Sequence, residues 1–151
     1  MRIADAQATV ENGTLHAEGS VQLGAAPAYR LSCLLDDMDF KGGKLDADAV
    51  LDTGGLGRQV LARLRAEGVF DARGLDVAPE LKTVSGNFRL EWSARGPRLK
   101  FEELRTQVGA DLYFGHGASQ NDGRVLVELW AGPKQLRVIG TLAPLRADST
   151  P

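Results

Sequence analysis

Residues 113–131 read YFGHGASQNDGRVLVELWA. Two glycines frame His116, and the polar run Ser119-Gln120-Asn121-Asp122-Gly123 follows, so the stretch is either a loop with chemistry in it or the tip of a β-hairpin. A dinucleotide-binding glycine loop needs a strand before it and a helix after it, because the pyrophosphate sits on a helix N-terminus. Here Gly115-His116-Gly117 is followed by RVLVELW, which alternates as a strand does. Asp122-Gly123 is a strong hairpin-turn signal, since a tight turn needs positive φ at its centre.

Closing a two-residue turn there pairs Ala118 with Val127, His116 with Leu129 and Gly115 with Trp130. Phe114, His116 and Ala118 then share a face with Val125, Val127 and Leu129, and Trp130 lies over Gly115 and Gly117 on the other. A three-residue turn instead shifts the pairing by one and sets His116 opposite Glu128. The two registers differ in which face each side chain of residues 113–119 takes.

The same period of two runs through the rest of the chain. In TLHAEGSVQL (14–23), Leu15, Ala17, Gly19 and Val21 fall on one face, and YRLSCLLD (29–36) continues with Tyr29, Leu31, Cys33 and Leu35. KLDADAVLD (44–52) sets Leu45, Ala47, Ala49 and Leu51 against Asp46, Asp48 and Asp52. VSGNFRLEW (84–92) keeps Val84, Phe88, Leu90 and Trp92 in phase. Turn signals recur between these runs at Asn12-Gly13, Gly42-Gly43, Gly54-Gly55, Gly96-Pro97, Asp122-Gly123 and Gly132-Pro133.

One segment departs from the alternation. Leu56, Val60, Leu61 and Leu64 form a single helical stripe, predicting one short helix near 56–65. Pro79 marks a second irregular connection over 77–82, with a helical turn as one reading. The fold class is therefore all-β: a twisted antiparallel meander of about eight to ten strands, a number that usually forces a sheet to curl. Residues 1–145 are expected to form one domain or part of one, and 146–151 a frayed tail.

Composition bounds function. The 151 residues carry a net charge of −2 with Lys and Arg scattered singly, so the basic footprint of nucleic-acid binding is missing. The start MRIADAQATV has neither a signal-peptide nor a membrane-anchor pattern. It begins as if already in a strand, and the chain is expected to be a piece of a larger protein. The single cysteine, Cys33, sits in the apolar run LSCLL and is expected to be a core thiol.

Catalytic signals are sparse. Ser119, His116 and Asp122 are triad residue types, but along one strand Ser119 and His116 point to opposite faces. Asp46, Asp48 and Asp52 lack the glycine and closing glutamate of a calcium loop and suit a solvated face. His16, His116 and Cys33 do not make a zinc set without carboxylates, and Glu102-Glu103 has no partner at a spacing that tunes an acid or base. No catalytic residue, metal site or cofactor is expected, and a binding or structural role is.

Three stretches carry a family resemblance. KLDADAVLDTGGLGRQVLARLRAEGVFDARGLD (44–76) is similar to a strand, glycine-rich turn, short helix and strand of the AsmA family of bacterial envelope proteins. TVSGNFRLEW (83–92) resembles the strand that follows, and GASQNDGRVLVELWAGPKQLRVIGTLAPL (117–145) resembles the closing hairpin and last strand. The resemblance covers about residues 13–146, and the N-terminal membrane helix of the family is not in this sequence.

The resemblance implies a taco-like β-groove, in the C-terminal region of a periplasmic, inner-membrane-anchored protein linked to outer-membrane biogenesis and phospholipid transport. It implies phospholipid acyl chains as ligand, and membrane association through parent-chain segments absent here. The residues expected to line the groove are Val84, Phe88, Leu90, Leu112, Phe114, Val125, Val127 and Leu129. The competing expectation is an interaction or scaffolding domain that packs the same face on a neighbouring repeat or an envelope protein partner.

Overall fold

A computed structural model describes residues 2–76, 79, 81–93 and 96–141. Ten strands follow one another across a single antiparallel sheet in sequence order. They are β1 (Arg2–Val10), β2 (Gly13–Gln22), β3 (Ala28–Phe40), β4 (Gly43–Gly54), β5 (Arg65–Arg73), β6 (Thr83–Ser93), β7 (Gly96–Val108), β8 (Asp111–Ser119), β9 (Arg124–Ala131) and β10 (Lys134–Thr141). One helix, α1 (Arg58–Ala62), interrupts the connection from β4 to β5. β1 and β10 do not pair, so the sheet is an open meander and not a barrel.

The turns follow from backbone sterics. Glu11 and Asn12 have φ of 43° and 63°, and Lys41 and Gly42 have 48° and 84°, as two-residue turns with two positive φ angles require. The turn centres therefore lie one residue before the Asn12-Gly13 and Gly42-Gly43 pairs. Gly132-Pro133 does occupy a turn centre, between the paired Ala131 and Lys134. Gly96-Pro97 instead begins β7, and the connecting residues 94–95 lie outside the described residues.

The hairpin between β8 and β9 takes the three-residue form. The Gln120 N–H donates to the Arg124 carbonyl at 2.6 Å, the Gly123 N–H to the Gln120 carbonyl at 3.0 Å, and Gly123 supplies the positive φ of 82°. Gly117 then pairs with Val127, His116 with Glu128, Gly115 with Leu129 and Phe114 with Trp130. This corrects the two-residue register: Gly115 and Gly117 share the face of Val127 and Leu129, while Phe114, His116, Ala118 and Trp130 share the other.

Three register shifts break the alternation, one in β1 between Ile3 and Ala6 and the other two as β-bulges in β3 and β7. β3 and β7 each span 13 residues, and each carries an acidic residue in the left-handed region, Asp37 at φ 54° and Glu103 at φ 51°. The extra residue lets Leu35 and Met38, and likewise Phe101 and Leu104, point to one face although they are three apart. Asp46 Oδ1 accepts the Asp37 N–H at 2.8 Å, and Glu103 Oε2 accepts from Asn87 Nδ2 at 3.0 Å.

The core lies on that shared face. Ala72, Leu75, Leu81, Val84, Leu104, Tyr113 and Leu129 form one buried cluster with Phe70, Phe101, Val127 and Val138 packed on it. Phe70 on β5 and Phe101 on β7 bring their ring centroids to 5.5 Å, although β6 lies between them. The rings meet over Gly86, which has no side chain between them. A single layer of strands that buries Leu104 and Leu129 on one side while Leu112, Phe114 and Ile139 stay exposed on the other curls toward the buried side, which is the concave one. The connection after β5 folds over it: the Leu75 N–H donates to the Lys82 carbonyl at 3.0 Å, and Leu75 and Leu81 are buried. Residues 77, 78 and 80 of the expected helical turn at 77–82 lie outside the described residues, as does the expected tail at 146–151.

The helix is shorter than the stripe that predicted it. It has five residues and buries none, with Leu56 and Leu61 exposed and Val60 and Leu64 half-buried. Two contacts hold it to the sheet: Thr53 Oγ1 donates to the Val60 carbonyl, and the Trp92 N–H donates to the Leu64 carbonyl at 3.2 Å.

Candidate functional site: the concave apolar face

Cross-strand pairing builds this face in rows. Leu15, Leu35 and Ala47 form one row across β2, β3 and β4, ending at Phe70 on β5. Ala17, Cys33 and Ala49 form the next, and Gly19, Leu31, Leu51 and Ala66 a third. The rows differ in cover from one half of the sheet to the other. In β5 to β9 the cover is deepest around Leu104 and Leu129, at 1% and 0% exposure, with Phe88, Leu90, Phe101 and Val127 half-buried around them. In β2 to β4, Val21 and Met38 are buried, while Leu15, Leu31, Leu35, Leu45 and Leu51 are only half-buried. Cys33 stands among them, half-buried, and its thiol pKa is raised by burial.

The eight residues expected to line a groove are divided by the structure. Val84, Val125 and Leu129 are buried. Phe88, Leu90 and Val127 are half-buried on the same face. Leu112 and Phe114 are on the convex face, 46% and 50% exposed, because the three-residue turn inverts β8 relative to the expected register. The half-covered residues of β2 to β4 were legible as alternation but were not singled out, since alternation does not tell a covered row from an open one.

The residues with catalytic side chains do not converge. Ser119 Oγ accepts the Leu99 N–H at 2.9 Å on the concave side. His116 is on the convex side with its ring centroid 5.4 Å from that of Trp130. Asp122 accepts from Arg124 Nε at 2.6 Å, and this hydrogen bond holds its carboxyl below the usual range. Glu102 is held low by Lys100, 3.0 Å away. Among the described residues no group of three or more His, Cys, Asp and Glu side chains is placed to hold a metal ion.

Two acidic residues of β3 and β4, Asp37 and Asp46, hold the bulge. Arg73 on β5 donates to Asp46 and to Asp37, the latter at 2.6 Å. The Asp46 carboxyl is lowered first by the Asp37 N–H and then by Arg73. Asp39 is lowered first by Asn12, whose Nδ2 donates at 2.6 Å, and then by Lys44. Asp48 and Asp52 are exposed. An open depression of about 710 Å³ lies beside β2 and β3, where Glu18, Ser20, Arg30 and Ser32 meet Gly19, Val21 and Leu23, so its lining is of mixed polarity.

Fold and face together define the class as an open, curved, single-sheet β protein with its core on one side. Comparison with family models, curated proteins and solved structures finds no match for this chain.

Proposed function

We propose that this chain is a non-enzymatic module that shields phospholipid acyl chains on its concave face, within an AsmA-like protein anchored in the inner membrane and working in the periplasm. The observation that carries the reading is the less covered half of that face, where Leu15 and Leu35, and Leu31 and Leu51, stand half-buried in two rows on either side of the Ala17–Cys33–Ala49 row. Apolar rows of this kind are covered at a gain of about 25 cal/mol for each Å² removed from water. An acyl tail supplies such cover without needing hydrogen-bond partners, while its headgroup stays hydrated at the rim. The mechanism is passive replacement of water and needs no cofactor.

The test is native mass spectrometry with lipid extraction on protein purified from envelope-containing cells. Co-purifying phospholipid that is lost in Leu31→Asp, with the circular dichroism spectrum unchanged, supports the reading. A well-folded, lipid-free protein that also fails to take up added phospholipid refutes it.

A second reading, a scaffolding domain, draws on the two unpaired edges. β10 presents eight residues and β1 nine, each able to accept a further strand. The same native spectra separate the two, because a scaffold appears with protein mass added and lipid mass absent.

A further inference from the structure

We propose that the strand-end rim carrying Leu23, Leu56 and Leu61 docks on the surface of an anionic lipid bilayer. The leucines enter the acyl boundary, and Arg58 and Arg63 meet the lipid phosphates. The inference goes beyond the groove reading and holds whether or not the concave face carries a tail.

Exposure singles out this rim. Leu23 is 70% and Leu56 65% exposed, the two most exposed large hydrophobic residues among those described, and Leu61 is 47% exposed. They come from different loops, the β2–β3 loop and the β4–β5 connection, that the fold brings to one end of the sheet. Ala28 pairs with Gly54, and the Gly55 N–H donates to the Pro27 carbonyl at 2.8 Å, which ties the loops side by side. The contacts of Val60 and Leu64 with Thr53 and Trp92 pin the helix below Leu61. The leucines are thus displayed from anchored backbone.

Charge identifies the occupant. From Thr53 to Ala66 the chain has Arg58, Arg63 and Arg65 and no Asp or Glu. All three arginines are exposed, and none makes a salt bridge among the described residues. Arg65 stands in register between Asp52 and Glu91 on the neighbouring strands, which leaves Arg58 and Arg63 as the uncompensated pair. At the opposite strand ends, Lys44 and Arg73 are already paired with Asp37, Asp39 and Asp46. A chain of net charge −2 therefore keeps unpaired arginines beside its most exposed leucines. Isolated apolar side chains among free arginines fit a bilayer interface, where each leucine reaches hydrocarbon and each guanidinium a phosphate. The five-residue helix lies on such a surface and does not cross it.

The experiment is co-sedimentation of the full chain with extruded vesicles of phosphatidylcholine alone, or with about a third phosphatidylglycerol, at low and high salt. Expected are binding to the anionic vesicles, weakening with salt, and about fivefold lost affinity for each of Arg58→Gln and Arg63→Gln. Leu23→Ser combined with Leu56→Ser is expected to abolish binding with an unchanged circular dichroism spectrum. No binding to anionic vesicles overturns the proposal, as does equal binding to neutral ones. So does full binding by both the leucine and the arginine variants. Self-association that disappears in the folded leucine variant, without vesicle binding, assigns the rim to a protein and overturns it as well. Tail occupancy, read by lipid extraction, is a separate measurement and fails or stands on its own.

Discussion

Gly115 stands opposite Leu129 in the β8–β9 ladder, and Leu129 has no exposed surface. A Cβ added at Gly115 would lie 1.8 Å from the Glu128 carbonyl oxygen and 2.8 Å from the Leu129 Cα. The close approach lets the sheet bend over its most buried leucine. Gly115→Ala therefore forces the strands apart, and a loss of about 1–3 kcal/mol is expected. Urea titration of the two proteins checks it. The neighbouring His116→Ala, on the convex face, serves as the control that leaves the midpoint nearly unchanged.

Leu129→Ala removes a fully buried side chain from the cluster with Leu104 and Tyr113. The expected destabilisation is about 2–5 kcal/mol, because the curled sheet cannot collapse fully into the void. Leu31→Ala, on the half-buried rows, is expected to cost much less. Chemical denaturation of both variants side by side measures how far the deeply covered half and the less covered half differ.

The bulge at Asp37 is held by a carboxylate whose pKa is lowered in the folded state. Such a group contributes stability above its unfolded pKa of about 3.9 and loses that contribution as pH falls through the lower folded value. Asp39 and Asp122 shift in the same direction. Stability should therefore fall on acidification below about pH 4. Asp46→Asn is expected to lower stability at neutral pH and to flatten the acid limb. Since the Asp46 side chain is 35% exposed, solvent screening keeps the effect modest. Melting temperatures between neutral pH and strong acid test both parts.

Burial raises the Cys33 thiol pKa, so the thiolate is scarcer in the folded protein than in the unfolded chain. Slow reaction with an alkylating reagent at neutral pH is expected, with a steep acceleration on adding denaturant. A phospholipid on the half-buried rows should slow the reaction further, because Cys33 sits between Leu31 and Leu35. Alkylation kinetics with and without added phospholipid give the readout.

Strand identity was legible because alternation is a direct consequence of side chains pointing to opposite faces. The rows Leu15–Val21, Tyr29–Leu35 and Leu45–Leu51 took the faces their spacing implied. The bulges were not legible. Asp36-Asp37 and Glu102-Glu103 look like ordinary polar pairs, and the positive φ of Asp37 and Glu103 is set by cross-strand partners 9 and 16 residues away. The β8–β9 register turned on one residue of turn length, a choice between two geometries that Asn121-Asp122-Gly123 supports equally. That residue moved Leu112 and Phe114 to the convex side. The helical stripe failed in another way: period alone does not supply a surface to pack against, and Leu56 and Leu61 found none.

The order of the strands has a kinetic consequence. Every strand pairs with its neighbour in sequence, from β1 through to β10. No distant segments have to meet before the sheet can grow, so loop-closure entropy is small at each step and assembly proceeds by addition to an existing edge. The molecule is in this respect a one-dimensional array whose units are hairpins. Loss of a terminal strand moves the edge inward by one position and leaves the remaining ladder intact. Unfolding should begin at β1, beside the sparsely covered rows, and reach the Leu104–Leu129 half last. Hydrogen exchange would then read out a gradient along the chain in place of a single cooperative opening.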